Sequence, residues 1–521
     1  MKSILSGLLM AICALASAQN PQVSNLQFTR QTADTTQVSL QFSLAHPASL
    51  PCEVWLRYSV DGGRSYKNVP GATGDLGFPV SAGSRNIQFN TAQLQGVGAL
   101  PVKFRIVASD RQVVDIAQLV AQVDTNRLKQ DVRNIAIPRN YNAQTQTLAR
   151  VRDSIQTRLA QNNLPTYRHE FMFNNFLCGN VVARQSGHLR DTSVWVIDAH
   201  FDGVSNSPGA DDNASGVAGM LEAARILSQY EFEESLQFIG FDVEEEGLVG
   251  SNRYTLNAIP AGDRIKGVFN FEMIGYYDTA ANSQQLPAGF NQLFPALYNQ
   301  IQAEGFRGDF LTNVGNAASL PLTAIFDSAA ARYVPTLKVR SLNVPGNGSI
   351  APDLRRSDHA SFWDRGYQAL MLTDGANFRN SRYHTPADSA ATLNYRFMQQ
   401  VVQATVAAAA TAAKPMRAGK ADATYGFALA VDGHAQHADC EMRLLPNPNN
   451  GRFVLQIAGC AVPYGPASLR VFSLDGRQHY ESWLEPATEH RIELNLPLTA
   501  GTYLVVTDNG HESYTQKLLV R

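Results

Sequence analysis

Val194-Trp-Val-Ile-Asp-Ala-His200-Phe-Asp202, Gly209-Ala-Asp211-Asp212-Asn-Ala-Ser-Gly216 and Leu236-Gln-Phe-Ile-Gly-Phe-Asp-Val-Glu244-Glu245-Glu246-Gly247 follow one another along the chain. The apolar runs Val194 to Ala199 and Leu236 to Val243 flank a segment with Val217, Met220, Leu221, Ala224 and Leu227 at helical spacing, which predicts a β-α-β unit. Parallel strands of such units are buried on both faces, and ligands bind in the crevice at their C-terminal ends. His200 and the Glu244 to Glu246 run both fall at such ends. Successive carboxylates leaving a buried strand repel one another and lose hydration unless a positive group or water meets them. A divalent cation answers that need. Singly, a Glu triplet is most often a solvated face and Asp-Asp-Asn-Ala-Ser-Gly a turn with a helix cap. The convergence of His, Asp and Glu on one strand-end edge argues for the cation.

Similar alternation of strand and helix patterns runs from about Val132 to Ala413. Tyr141 to Asn162 has a helical pattern, and strands are predicted at Asn180 to Arg184, Gly267 to Glu272 and Gln368 to Asp374. The expected fold is therefore α/β, a mixed and largely parallel sheet with helices on both faces. Two small all-β modules flank it. Residues 19–121 alternate with period two, as in Val38, Leu40, Phe42 and Leu44 and again in Val102, Phe104, Ile106 and Ala108, which predicts an antiparallel sandwich of the immunoglobulin or fibronectin kind. Its expected role is that of a spacer or a substrate-presenting module. Residues 122–131 and 414–439 carry no strong pattern and are expected to be linkers, and residues 440–521 alternate again.

At about 150 residues per domain, 521 residues accommodate about three domains. A net charge of −2 gives no electrostatic case for nucleic acid or an anionic membrane. Residues 1–18 combine Lys2, an apolar stretch and Ala16-Ser17-Ala18, as a Sec signal peptide does, so the mature chain is expected outside the cytoplasm with no transmembrane segment. In an oxidising compartment Cys440 and Cys460 are candidates for a bridge, while Cys52 and Cys178 are left as buried thiols or an undecided pair.

His200-Phe-Asp202, Gly209-Ala-Asp-Asp212-Asn-Ala-Ser-Gly, Glu244-Glu245-x-Gly-Leu-Val-Gly-Ser, Ser357-Asp-His-Ala-Ser-Phe-Trp and Tyr-His384-Thr-Pro-Ala-Asp388 occur in this order. Together they resemble the co-catalytic di-zinc aminopeptidases, whose family also contains glutamate carboxypeptidase and transferrin-receptor-like proteins. The resemblance implies two zinc ions: His200 and Glu272 on one, Glu245 and His384 on the other, and Asp212 bridging. A register shift of one would hand the bridge to Asp211. Many relatives have Asp where this chain has Glu272. By the same resemblance Asp202 would take the second ring proton of His200 and fix its tautomer, and Glu244 would be the general base. The implied reaction is hydrolysis of N-terminal residues from peptides, with a hydroxide held between two ions ~3.5 to 4 Å apart. Zinc suits such nitrogen and carboxylate donors. Removal of C-terminal residues and dipeptide cleavage fit the same framework. The stretch from Tyr276 to Arg356 is expected as an insertion walling the pocket.

Ser357-Asp358-His359 is expected to support the site, since consecutive residues do not converge as a triad. Arg355, Arg356 and Arg379 are candidates for a substrate carboxylate. The module at 440–521, with Leu445-Pro-Asn-Pro-Asn-Asn-Gly451 and Lys517-Leu-Leu-Val, resembles C-terminal sorting domains of the type IX secretion system. That implies export across the outer membrane of a Gram-negative bacterium, followed by release or surface attachment, with the secretion machinery as partner. The alternatives are a glutaminyl cyclase-like transferase with one zinc and a non-catalytic surface-binding protein.

Overall fold

The computed structural model describes residues 20–30, 36–60, 63, 66–95, 102–260, 262–425, 441–458, 467–473, 478–484, 489–508 and 513–521. The candidate signal peptide and the candidate bridge between Cys440 and Cys460 lie outside them. Cys52 and Cys178 are buried and unbridged, and burial pushes their thiols up to about 11 and about 12.

The central sheet comprises β1 (Thr166–Phe173), β2 (Phe176–Gln185), β3 (Arg190–His200), β4 (Glu234–Phe241), β5 (Arg264–Glu272), β6 (Leu311–Asn316), β7 (Val339–Val344) and β8 (Ala369–Thr373). Its strands lie side by side in the order β7, β6, β8, β5, β3, β4, β2, β1. The inner strands β4, β3, β5 and β8 are mutually parallel. Both outer pairs join antiparallel, β2 to β4 and β6 to β8. Alternate residues of β3 feed different cores, Ile197 and Ala199 one and Val194 and Val196 the other. This explains the unbroken apolar runs in the sequence.

Helices α1 (Thr125–Ile135), α2 (Thr145–Gln161), α3 (Gly216–Leu227), α4 (Val249–Asn257), α5 (Pro295–Ala303), α6 (Leu320–Tyr333), α7 (His359–Trp363) and α8 (Tyr395–Ala413) cover the sheet. The first three, α6 and α8 pack in one core, while α4, α5 and α7 pack in the other. Among the described residues no helix is long and apolar enough to cross a membrane.

Three expectations need correction. The supposed linker at 122–131 holds most of α1, whose Leu128 and Val132 are buried in the main core. The supposed linker from Lys414 contains the strand Pro415–Tyr425, which returns to the N-terminal sandwich and pairs with Val102–Val113. Its small and charged residues hide the strand pattern, because its hold is partly ionic: Arg105 grips Asp422 bidentately at 2.6 and 2.9 Å, and Arg417 meets Asp110 at 2.9 Å. The stretch from Tyr276 to Arg356 is only partly an insertion, since β6, α6 and β7 are integral to the sheet and its covering layer.

The N-terminal sandwich grips the N-terminal end of β3. Arg57 donates to the carbonyls of Gly187 and His188 at 2.8 and 2.6 Å and pairs with Asp191 at 3.0 Å. That is the end opposite His200. The C-terminal module has two sheets, one with Arg452–Ala458 at its centre and one containing Ala467–Ser473 and Gly501–Asp508. They enclose Leu455, Leu469, Val471, Val505 and Leu518.

Candidate metal centre

Because β3, β4, β5 and β8 run parallel, their C-terminal ends share one edge of the sheet. His200 ends β3 and Glu272 ends β5. Glu244 and Glu245 leave β4, Asp212 lies in the loop opening α3, and His384 lies in the loop after β8. The chain delivers every sequence-predicted ligand to this edge.

His200 Nε2 lies 3.4 Å from Asp212 Oδ1, 3.4 Å from Glu272 Oε2 and 3.9 Å from Glu244 Oε2. His384 Nε2 lies 2.9 Å from Asp212 Oδ2 and 3.1 Å from Glu245 Oε2. The two oxygens of Asp212 thus face different histidines. His200 Nε2, His384 Nε2 and Glu245 Oε1 are buried and, among the described residues, have no hydrogen-bond partner. One ligand atom each from His200, Glu244 and Glu272, and one each from His200, Asp212 and Glu245, lie within 4.8 Å of one another, close enough to hold a metal ion. Nitrogen and carboxylate oxygen are the donors zinc takes, and the gathered residues fit zinc.

Asp211, the competitor for the bridge, points away. Its Oδ1 accepts from Gly275 N at 2.9 Å and its Oδ2 from Asn380 Nδ2 at 2.8 Å. Asp388, which closes the Tyr-His384-Thr-Pro-Ala-Asp motif, accepts from the amides of Asp211 and Asp212 at 3.0 and 3.2 Å. The last motif therefore fixes the loop that carries Asp212.

The site gathers like charges in a buried place. Burial pushes the Glu244 carboxyl well above its ordinary range, and Glu272 and Glu245 add to the rise against His200. Burial and the neighbouring Asp212 push Glu245 up to about 7. For His384, burial opposes protonation, yet Asp212 and Glu245 raise it to about 10. Carboxylates gathered in a buried site and imidazoles pulled towards protonation mark a place where positive charge is wanted.

Backbone conformation tightens the site. Val243, Met273 and His384, each at or beside a candidate ligand or the candidate base, adopt left-handed φ of 57°, 49° and 58°. For a non-glycine residue this costs on the order of 1–3 kcal/mol and persists only where surrounding packing enforces it. At Gly209, with φ of 57°, a Cβ would come within 2.1 Å of the Asp212 carbonyl oxygen, so this position requires glycine.

Residues 180–409 match the model of peptidase family M28, and residues 443–521 match that of the secretion system C-terminal sorting domain. Over 227 residues the chain is 36% identical to YfbL of Escherichia coli, an uncharacterised protein, covering 42% of this chain and 66% of YfbL. It is 30% identical over 163 residues to aminopeptidase YwaD of Bacillus subtilis, covering 30% of this chain and 36% of YwaD. A probable zinc metalloprotease of Pyrenophora tritici-repentis is 25% identical over 206 residues, 37% of this chain and 41% of that protein. The chain spans about two thirds of YfbL and less than half of the other two.

Around the candidate metal centre lie further residues that shape it. Arg139 precedes the matched segment and is fully buried. Its guanidinium donates to the carbonyls of Phe201, Pro208 and Gly209 at 2.7, 2.5 and 2.9 Å, pinning the loop between His200 and Asp212. Tyr383 stacks on the His384 ring at 3.7 Å and accepts from Arg356 at 2.9 Å. Arg139 has no local sequence signal, since its partners are distant in the chain, whereas Tyr383 stands in the motif that carries His384. Ser357 donates to Glu272 Oε2 at 2.7 Å, so the Ser-Asp-His element does support the site. Of the arginine candidates, Arg356 stands at the mouth of the adjoining pocket. Arg355 is engaged with Asp364, and Arg379 is buried against Gln284.

Proposed function

We propose that the protein is an exported zinc-dependent aminopeptidase that removes N-terminal residues from peptides, with His200 and Glu272 on one zinc, Glu245 and His384 on the other, and Asp212 between them. The observation that carries this reading is the Asp212 carboxylate, whose two oxygens face two different histidines. Similarity to aminopeptidase YwaD supports aminopeptidase activity, and similarity to the probable zinc metalloprotease of Pyrenophora tritici-repentis supports zinc. The sorting module supports export through the type IX machinery.

When bound, the zinc ions supply Lewis acidity towards the scissile carbonyl and a lowered pKa for the attacking water. Glu244 takes the proton of that water and passes it to the departing amine. Its burial keeps the proton from exchanging freely with solvent and suits a group that must both accept and return it. Ser357 fixes Glu272 through its hydroxyl, and Arg139 and Asp388 hold the loop bearing Asp212, so these side chains need little reorganisation during turnover.

The test is elemental analysis of the exported protein together with hydrolysis of aminoacyl anilides and N-blocked peptides. The expected result is about two zinc ions per chain, with cleavage confined to free N-termini. One zinc ion with cyclisation of N-terminal glutamine would overturn it in favour of a cyclase. Absence of both metal and turnover would leave only a binding role.

A further inference from the structure

A pocket opens directly off the metal centre. Glu272, Thr373 and Tyr383 line its inner side, next to the candidate metal ligands. Its walls come from elements far apart in sequence: Phe290 and Ile301 from the segment around α5, Phe310 and Thr312 at β6, Met371 on β8, and Phe378 beyond it. Phe290, Ile301, Phe310 and Met371 are buried. Arg379 lies over the Phe310 ring at 4.8 Å and holds its position.

The lining has a definite chemistry. Aromatic rings and a thioether supply edge and face contacts that favour another aromatic ring over an aliphatic chain. The charged groups that reach the lining have opposite charges beside them. Arg340 pairs with Glu304, and Arg356 lies 3.9 Å from Asp353. An acidic or basic side chain entering here would lose its hydration without gaining a free counter-ion.

We infer that this pocket receives the side chain of the N-terminal residue and selects a large, uncharged aromatic one, with Phe310, Met371 and Thr312 as specificity-determining residues. The inference rests on the aminopeptidase reading. An alanine side chain has little apolar surface to bury against these walls, and their aromatic rings separate phenylalanine from leucine. Thr312 is half-buried and lies on β6 opposite Thr373 of β8, which lines the inner side. A larger side chain there fills the space that the substrate ring needs.

The experiment compares kcat/KM of the zinc-loaded full chain on phenylalanyl, tryptophanyl, leucyl, alanyl, lysyl and glutamyl p-nitroanilides. Aromatic contacts predict phenylalanine over leucine by about 3- to 10-fold, and burial of the ring predicts phenylalanine over alanine, lysine and glutamate by about 100-fold or more. In Thr312→Trp the ratio of phenylalanine to alanine collapses towards unity, and in Phe310→Leu the ratio of phenylalanine to leucine falls to about one. Leucine, alanine or lysine cleaved as well as phenylalanine by the unaltered protein would overturn the inference while leaving the aminopeptidase reading intact, whatever the stability of the variants. Ratios unmoved in folded variants would also overturn the assignment of these residues. No turnover of any aminoacyl anilide would overturn the aminopeptidase reading and the inference with it.

Discussion

Asp202 Oδ1 accepts a hydrogen bond from the backbone amide of Glu244 at 2.9 Å, and its Oδ2 accepts from the amide of Glu245 at 3.2 Å. The expected contact with the His200 ring is longer, 3.5 Å from Nδ1 to Oδ1. The carboxylate therefore joins the end of β3 to the turn carrying the proposed base and a proposed ligand. Its main grip is on that turn, with the imidazole beside it. Replacing Asp202 with Asn removes one of the two acceptor oxygens. The expected result is a loss of metal affinity of about 10- to 100-fold, the range for partners that orient metal ligands, measured by competition with a chelator. Unchanged affinity would mean that the turn holds its shape without this contact.

Asp212 and Asp211 separate by the same logic. Asp212→Asn leaves one of its two oxygens as an amide nitrogen, which cannot ligate both sites. Zinc content should fall from about two per chain to about one or less. Asp211→Asn keeps the oxygen acceptor for Gly275 N and should retain both ions. Elemental analysis of the two folded variants decides between them, and the reverse pattern would move the bridge to Asp211.

For Glu244→Gln the shape is preserved and the proton acceptor is lost. Turnover should drop by about 10²- to 10⁴-fold, as expected for removal of a general acid–base group, while zinc content stays unchanged. A parallel loss of one zinc ion would instead make Glu244 a ligand. The 3.9 Å approach of its Oε2 to His200 Nε2 makes that comparison worth measuring.

Much of this centre was legible in the sequence because each motif is local. His200-Phe-Asp202 reads as the end of an apolar run, and Glu244-Glu245 as the end of another. Parallel pairing then brings those ends together. What stayed hidden depends on contacts between distant segments. Arg139 acts on carbonyls of Phe201 and Pro208, and no composition or spacing announces a side chain to backbone bond across that separation. The strand Pro415–Tyr425 was hidden for another reason: ion pairs involving Arg417 and Asp422 replace part of the apolar alternation by which strands are recognised. The choice between Asp211 and Asp212 also required the structure, since a loop without periodicity does not fix which way adjacent side chains point.

His169 on β1 offers a measure of the fold independent of catalysis. Burial, with a smaller effect from Arg253, lowers its pKa to about 3, and its Nδ1 faces Asn180 Nδ2 at 3.0 Å. The folded chain therefore keeps this ring neutral while the unfolded chain protonates it near its ordinary value of 6.5. Above that value both states are neutral and the group has no effect. As pH falls from about 6.5 towards 3 the unfolded state binds one more proton, so stability declines by up to ~1.4 kcal/mol per pH unit from this residue. Buried acids with raised pKa values, such as Asp242 at about 7, work in the opposite direction, so the total slope does not isolate the histidine. Comparing His169→Gln with the unaltered protein does. Denaturant unfolding of both between pH 4 and 6 should show a slope smaller by about one proton in the variant, and identical slopes would mean that His169 is protonated in the folded state.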